Sequence, residues 1–159
     1  MHVRQAQPDD LPAMVAILNE IIAIGGTTAF EEPLDAAALG AIVFSAQRVS
    51  AFVVLDDAGV VAGFQWLARL PDLPPDLGDI ASFTRRAPRL PGAGRALMAA
   101  TVAAARAAGL TAINAKIRAD NTVGLGYYAA MGFQDHALKK GAPLKDGTPM
   151  DRVVKRLSL

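Results

Sequence analysis

Apolar residues recur three and four apart between Leu11 and Ile24, where Met14, Ile17, Leu18, Ile21 and Ile22 would line one face of a helix. Pro8-Asp9-Asp10 before it has the make-up of a helix start, with either aspartate able to cap free amides, and Gly25-Gly26 ends it. A second helix is expected over Asp35 to Val43, capped by Asp35. The pattern then changes period. Val49 to Leu55 and Val60 to Arg69 are β-branched and apolar runs joined by the turn-like DDAG, which predicts a hairpin, and Val3 to Gln5 is short enough for an edge strand.

The proline-rich LPDLPPDL (70–77) must be loop, and DIASFT (79–84) is expected to be the next strand. A helix follows from Gly94 to Ala108 with Met98, Thr101, Val102 and Ala105 on one side and Gly109 as its stop. Thr111 to Ile117 is a strand and Asn121 to Met131 a short helix, despite Gly124 and Gly126, which together cost about 2 kcal/mol against alanine. A strand from Phe133 to Leu138, a polar loop over 139–151 and a last strand from Arg152 to Leu157 complete the series. Strands and helices so mixed predict an α/β (α+β) domain.

Composition narrows the function. A chain of 159 residues, 52% hydrophobic, suits one domain over residues 1–159 that buries about two-thirds of its unfolded surface. With 16 basic and 15 acidic residues, it has no broad field for a nucleic-acid backbone or an anionic membrane. The lack of cysteine excludes disulfides and a thiol nucleophile, and two isolated histidines argue against zinc. No export-type leader or membrane-length apolar run is visible at the start of the chain, so a cytoplasmic protein without metal, acting on small molecules, is expected.

RLPGAGRAL (89–97) sets glycines directly before a helix. Such a stretch serves either as a cradle whose amides converge on an anion or as a tight strand-to-helix loop. Arg89, Gly92 and Gly94 match the RxxGxG loop of one superfamily, and NTVGLGYYAAMGF (121–133) matches its second signature of Asn, Tyr and Gly-Phe. With both motifs in this order, the chain resembles the GNAT superfamily of acyl-CoA-dependent N-acyltransferases. NEIIAIGGTTAFEEP and KDGTPMD are similar to its phosphinothricin acetyltransferase-like branch.

The resemblance implies a mixed central sheet of about six to seven strands with about four helices, and acetyl-CoA as co-substrate. The amides of Gly92, Ala93, Gly94 and Arg95, with the Arg89 and Arg95 side chains, would hold the pyrophosphate, while Pro91 cannot donate. The backbone of Ser82, Phe83 and Thr84 would pair with the pantetheine arm, and Asn121 would either bind that arm or cap its own helix. Asp79 falls where relatives carry a glutamate base, and its shorter side chain favours a water relay. Tyr128 matches the tyrosine that protonates the leaving thiolate. Tyr127 points about 100° away, so only one of the two can face the thioester.

The acceptor site is expected between TTAFEEP and the 139–150 loop, with Phe30 as an apolar wall and Glu31 or Glu32 attracting an ammonium group. These readings imply an N-acetyltransferase of a small primary amine or amino acid analogue, working through a ternary complex and often dimeric in this branch. A non-catalytic acyl-CoA sensor is the second class. A Rossmann-type nucleotide domain would need its glycine loop after the first strand, which this chain lacks.

Overall fold

The computed structural model describes residues 1–159. In chain order it contains β1 (His2–Gln5), a 3₁₀ turn (Pro8–Asp10), α1 (Leu11–Ile24), α2 (Ala36–Val43), β2 (Arg48–Leu55), β3 (Val61–Ala68) and β4 (Leu77–Thr84). Then come α3 (Ala93–Ala107), β5 (Ala112–Arg118), α4 (Thr122–Ala130), β6 (Gln134–Pro143) and β7 (Pro149–Ser158). One seven-stranded sheet runs β1-β2-β3-β4-β5-β7-β6. This is the mixed α+β architecture that the two motifs imply.

The sheet is antiparallel except where β4 meets β5. That parallel pairing lasts only from Leu77, Gly78 and Asp79 opposite Ala112, Ile113 and Asn114. Beyond Asp79 the two strands part, so the β5-facing backbone edge of β4 from Ile80 to Thr84 is left without a strand partner.

Period-2 alternation sends successive β4 side chains to opposite faces. Ala81 and Phe83 join the core beneath α1 and α2, built on Met14, Leu18, Leu39, Val53 and Phe64. Ile80 faces the other core, beneath α3 and α4, with Leu67, Met98, Ile113 and Tyr128. Each fully buried leucine in these layers contributes about 1.5–3 kcal/mol, and the two layers hold the strand rigidly from both sides.

Helix starts differ in how they are capped. Asp35 caps α2 as expected, its carboxylate accepting from the Ala38 amide at 2.7 Å. Asp10 does not cap α1: its carboxylate turns back to the Gln7 amide (2.8 Å) and to Arg4, which forks onto it at 2.7 and 2.8 Å.

The expected polar loop over 139–151 is a correction. Most of it is the β6–β7 hairpin, whose turn spans only 144–148. Because β6 is the edge of the sheet and exposed along nearly its whole length, it shows no apolar alternation. Its lysines 139 and 140 suit an unpaired edge instead. Gly141, at φ +64°, sits where the register slips between Lys139 and Ala142, a bulge that needs a left-handed residue.

Candidate active site

RLPGAGRAL folds as the end of a loop and the first turn of α3, with Gly92 as N-cap at φ +82°, ψ −7°, a left-handed conformation that any side chain would strain. Of the four amides expected to cradle an anion, Ala93 N–H donates to the Leu90 carbonyl at 3.2 Å. The Gly92, Gly94 and Arg95 amides have no partner within the chain and lie at the positive end of a 15-residue helix. Gly94 has a second reason to be glycine. A Cβ there would stand 2.7 Å from the Tyr127 ring.

Next to this turn lies a cleft of about 450 Å³, lined by β4, the α3 turn and the start of α4. Ser82, Phe83, Thr84, Arg89, Gly94, Asn121 and Tyr128 all line it, as do Tyr127, Arg85 and Arg86. Arg85 is engaged by Asp56 at 2.8 Å, whereas Arg86 forms no ion pair and adds a cation that the motifs do not mark. The unpaired β4 edge, the free amides and the arginines together fit a long, flexible polyanion with an amide-bearing arm.

Asn121 does two things at once. Its Oδ1 caps α4 through the Gly124 amide at 2.9 Å, and its Nδ2 donates to the Thr27 carbonyl at 3.1 Å. Gly124 is small because a Cβ would lie 2.5 Å from that Nδ2. Nothing in the structure explains Gly126.

Both tyrosines reach the cleft. Tyr128 is buried, its hydroxyl 2.9 Å from Ser82 Oγ, and burial pushes its pKa well above the usual phenol value. Tyr127 donates to the Gly94 carbonyl at 2.9 Å, and burial raises its pKa as well. Between them lies Gln65 of β3, fully buried and directly opposite Ser82, with Nε2 2.7 Å from Ser82 Oγ and 3.3 Å from Tyr127 OH. Gln65 escaped the sequence reading because it sits inside an apolar run; the signal was one amide at an inward strand position.

Asp79 stands on the opposite face of β4 from Ser82, where β4 and β5 separate. Its Oδ1 is buried without a hydrogen-bond partner. Burial pushes its pKa up to about 6, against the pull of Lys116 and Lys139. On the same face, ladder pairing sets Arg118, Arg152 and Lys139 side by side across β5, β7 and β6, with Lys116 and Arg156 nearby. Like charges directly opposite repel. Asp120 pairs with Arg118 at 2.8 Å, but Lys116, Lys139, Arg152 and Arg156 have no carboxylate partner.

The acceptor-side residues lie elsewhere than the cleft lining. Phe30 tilts against Phe83 with ring centroids 6.4 Å apart. The Glu31 carboxylate accepts from the Lys145 amide, and Glu32 pairs with the Lys145 ammonium. These contacts tie the 27–33 loop to the tip of the β6–β7 hairpin. No group of side chains is arranged to hold a metal ion, and no helix is long and apolar enough to cross a membrane.

The model of the acetyltransferase (GNAT) family matches residues 14–133, and the chain belongs to that family. None of the curated proteins matches the sequence. Among solved structures, a provisionally assigned phosphinothricin N-acetyltransferase is 25% identical, with TM-score 0.85 over 99% of this chain and 98% of its own. A phosphinothricin acetyltransferase from Sinorhizobium meliloti, solved with acetyl-CoA, is 23% identical, with TM-score 0.85 over 99% and 88%. Ribosomal-protein-alanine N-acetyltransferase from Brucella melitensis is 21% identical, with TM-score 0.88 over the whole of both chains. The protein is thus a GNAT acetyltransferase similar to the phosphinothricin acetyltransferase-like branch.

Proposed function

We propose that residues 1–159 form one domain that acetylates the primary amine of a small molecule bearing an acid group, amino acid analogues included, by direct transfer within a ternary complex. The observation that carries this reading is the parting of β4 from β5 at Asp79, with a proton acceptor on one face of β4 and Tyr128 on the other. Acetyl-CoA supplies the activated acyl group. The amides of Gly92, Gly94 and Arg95, with Arg86 and Arg89, hold its phosphates, and the free edge of Ser82 to Thr84 holds its arm.

Asp79 takes the ammonium proton, directly or through water. With a pKa near 6 it is mostly ionised at neutral pH, yet basic enough to accept. Tyr128 returns a proton to the departing sulfur. The absence of cysteine leaves no thiol to carry an acyl-enzyme, which favours direct attack.

The unpaired cations beside Asp79 favour an acceptor with a carboxylate or similar anion, since a bare ammonium compound would be repelled there. Glu31 and Glu32, engaged by Lys145, serve this reading by holding the hairpin tip over the 27–33 loop, with Phe30 as the apolar wall. The reading carries with it a cytoplasmic homodimer, which sedimentation of the purified protein and cell fractionation check. Incubation with acetyl-CoA and pooled amines, read by mass spectrometry, tests the function: acidic amino compounds should be acetylated and plain alkylamines should not. Intersecting initial-velocity lines are expected, and parallel lines would rule out the ternary complex.

A further inference from the structure

A glutamine in the middle of a hydrophobic sheet face costs several kcal/mol unless its amide is engaged. Gln65 is fully buried, and the engagement is lopsided: Nε2 meets both Ser82 Oγ and Tyr127 OH, while Oε1 is buried with no partner. Turning the amide over would give the carbonyl two hydroxyl neighbours and leave the NH₂ group alone instead. The neighbours decide between these two orientations.

A phenol has one proton. That of Tyr127 is committed to the Gly94 carbonyl at 2.9 Å, which can only accept. Toward Gln65 the Tyr127 oxygen can therefore only receive, so the amide must present N–H. The same NH₂ group supplies its second proton to Ser82 Oγ at 2.7 Å. Ser82 is then an acceptor on that side, and its own proton is free for the Tyr128 oxygen at 2.9 Å. With its oxygen receiving from Ser82, Tyr128 keeps its proton for the cleft that it lines.

We infer that Tyr127 and Gln65 fix the direction of a donor chain, Gln65 to Ser82 to Tyr128, which leaves the Tyr128 proton aimed into the cleft. Gln65 and Tyr127 are positioning residues, and the inference rests on the acetyl-transfer reading above for its purpose. Asp79 takes one proton from the acceptor's ammonium group, freeing the nitrogen to form the C–N bond. Tyr128 gives its proton to sulfur as the C–S bond breaks, and the second proton that the acylated nitrogen sheds returns through water to the Tyr128 phenolate. The Ser82 hydroxyl steadies that phenolate meanwhile, in keeping with its downward pull on the Tyr128 pKa.

The chain has two tyrosines, and both are in this network. The tyrosine Fermi doublet in Raman spectra reads them alone, its intensity ratio rising when phenol oxygens accept and falling when they donate. Ser82→Ala should lower the ratio, because Tyr128 loses the proton it receives. A rise would mean that Tyr128 donates to Ser82, and would overturn the inference.

In turnover with an acidic amine, Gln65→Leu should lower kcat at least about tenfold and leave KM for acetyl-CoA within about twofold. Gln65→Met separates orientation from packing: it fills nearly the same space but has no proton to donate, so it should lose about as much as Gln65→Leu. Wild-type kcat in a folded Gln65→Met variant would overturn the proposed role. If the wild-type protein acetylates nothing, the functional reading fails, and the Raman sign still decides the direction of the chain.

Discussion

The two faces of β4 prepare for catalysis in opposite ways. On the α3 and α4 side, Ser82 is locked between Gln65 and Tyr128, and this hydroxyl network stands before any ligand arrives, with the Tyr128 proton and the loop amides left over to meet one. On the other side, three residues earlier in the same strand, Asp79 has a buried oxygen without a partner and faces cations without counter-ions. A prebuilt face suits the co-substrate that every turnover uses, and an unsatisfied face suits the acceptor whose charge completes it. The difference teaches where the proposed function puts acceptor specificity: in the charges on β5, β7 and β6, rather than in the glycine loop.

The sharpest way to break this contrast is to disable the prebuilt face. Tyr128→Phe keeps the ring and should lower kcat by roughly 10- to 1,000-fold with little change in KM for acetyl-CoA. Stopped-assay release of CoA measures it. Gly92→Val forces a branched side chain into a left-handed position and crowds the free amides; calorimetry should find CoA binding weakened more than about tenfold in a folded protein.

On the unsatisfied face, Lys116→Ala and Arg152→Ala should each raise KM for an acidic acceptor about five- to tenfold, as expected for one lost charge-assisted contact, and leave KM for acetyl-CoA unchanged. Equal effects on an uncharged amine would show that the cations do not read the acceptor.

Smaller effects fall on stability. Gly124→Ala drives a Cβ against Asn121, and the lost cap, about 1–2 kcal/mol, outweighs the roughly 1 kcal/mol that alanine gains in a helix, so a slightly lower denaturant midpoint is expected. For Asp79→Asn the sign follows from linkage. The folded-state pKa, about 6, lies above the unfolded value of 3.8, so the folded protein holds the extra proton between them and loses stability as pH rises through that window. Removing the carboxylate should therefore stabilise the protein above about pH 6, by no more than about 3 kcal/mol, and lose that advantage below the unfolded value.

Much of this was legible in the chain because the signals are local. The α1 stripe of Met14 to Ile22, the glycine turn before α3 and the Asn-Tyr-Gly-Phe signature each lie within a few turns of one another, where periodicity and backbone freedom act directly. The β6–β7 hairpin was hidden because an edge strand wetted along nearly all its length leaves no alternation to read. The Arg118–Arg152–Lys139 row exists only through the pairing register of three strands from distant segments. Gln65 was visible as one polar residue in an apolar run, but its meaning depends on Ser82 and Tyr127, and folding alone brings these to it. Ala93 was expected to offer its amide, and a single turn bond to Leu90 takes it away.

The central claim is that Asp79 takes the amine's proton on one face of β4 while the tyrosine chain supplies another proton from the opposite face. The dependence of kcat/KM on pH, measured side by side for the wild type and Asp79→Asn with the best acidic amine, tests it most directly. The wild type should gain activity as pH rises through about 6, where Asp79 ionises. Asp79→Asn should lose that limb, run at least about tenfold slower at neutral pH, and recover part of the loss as pH approaches the amine's own pKa. An unchanged limb near pH 6 in a variant of wild-type rate would contradict the account.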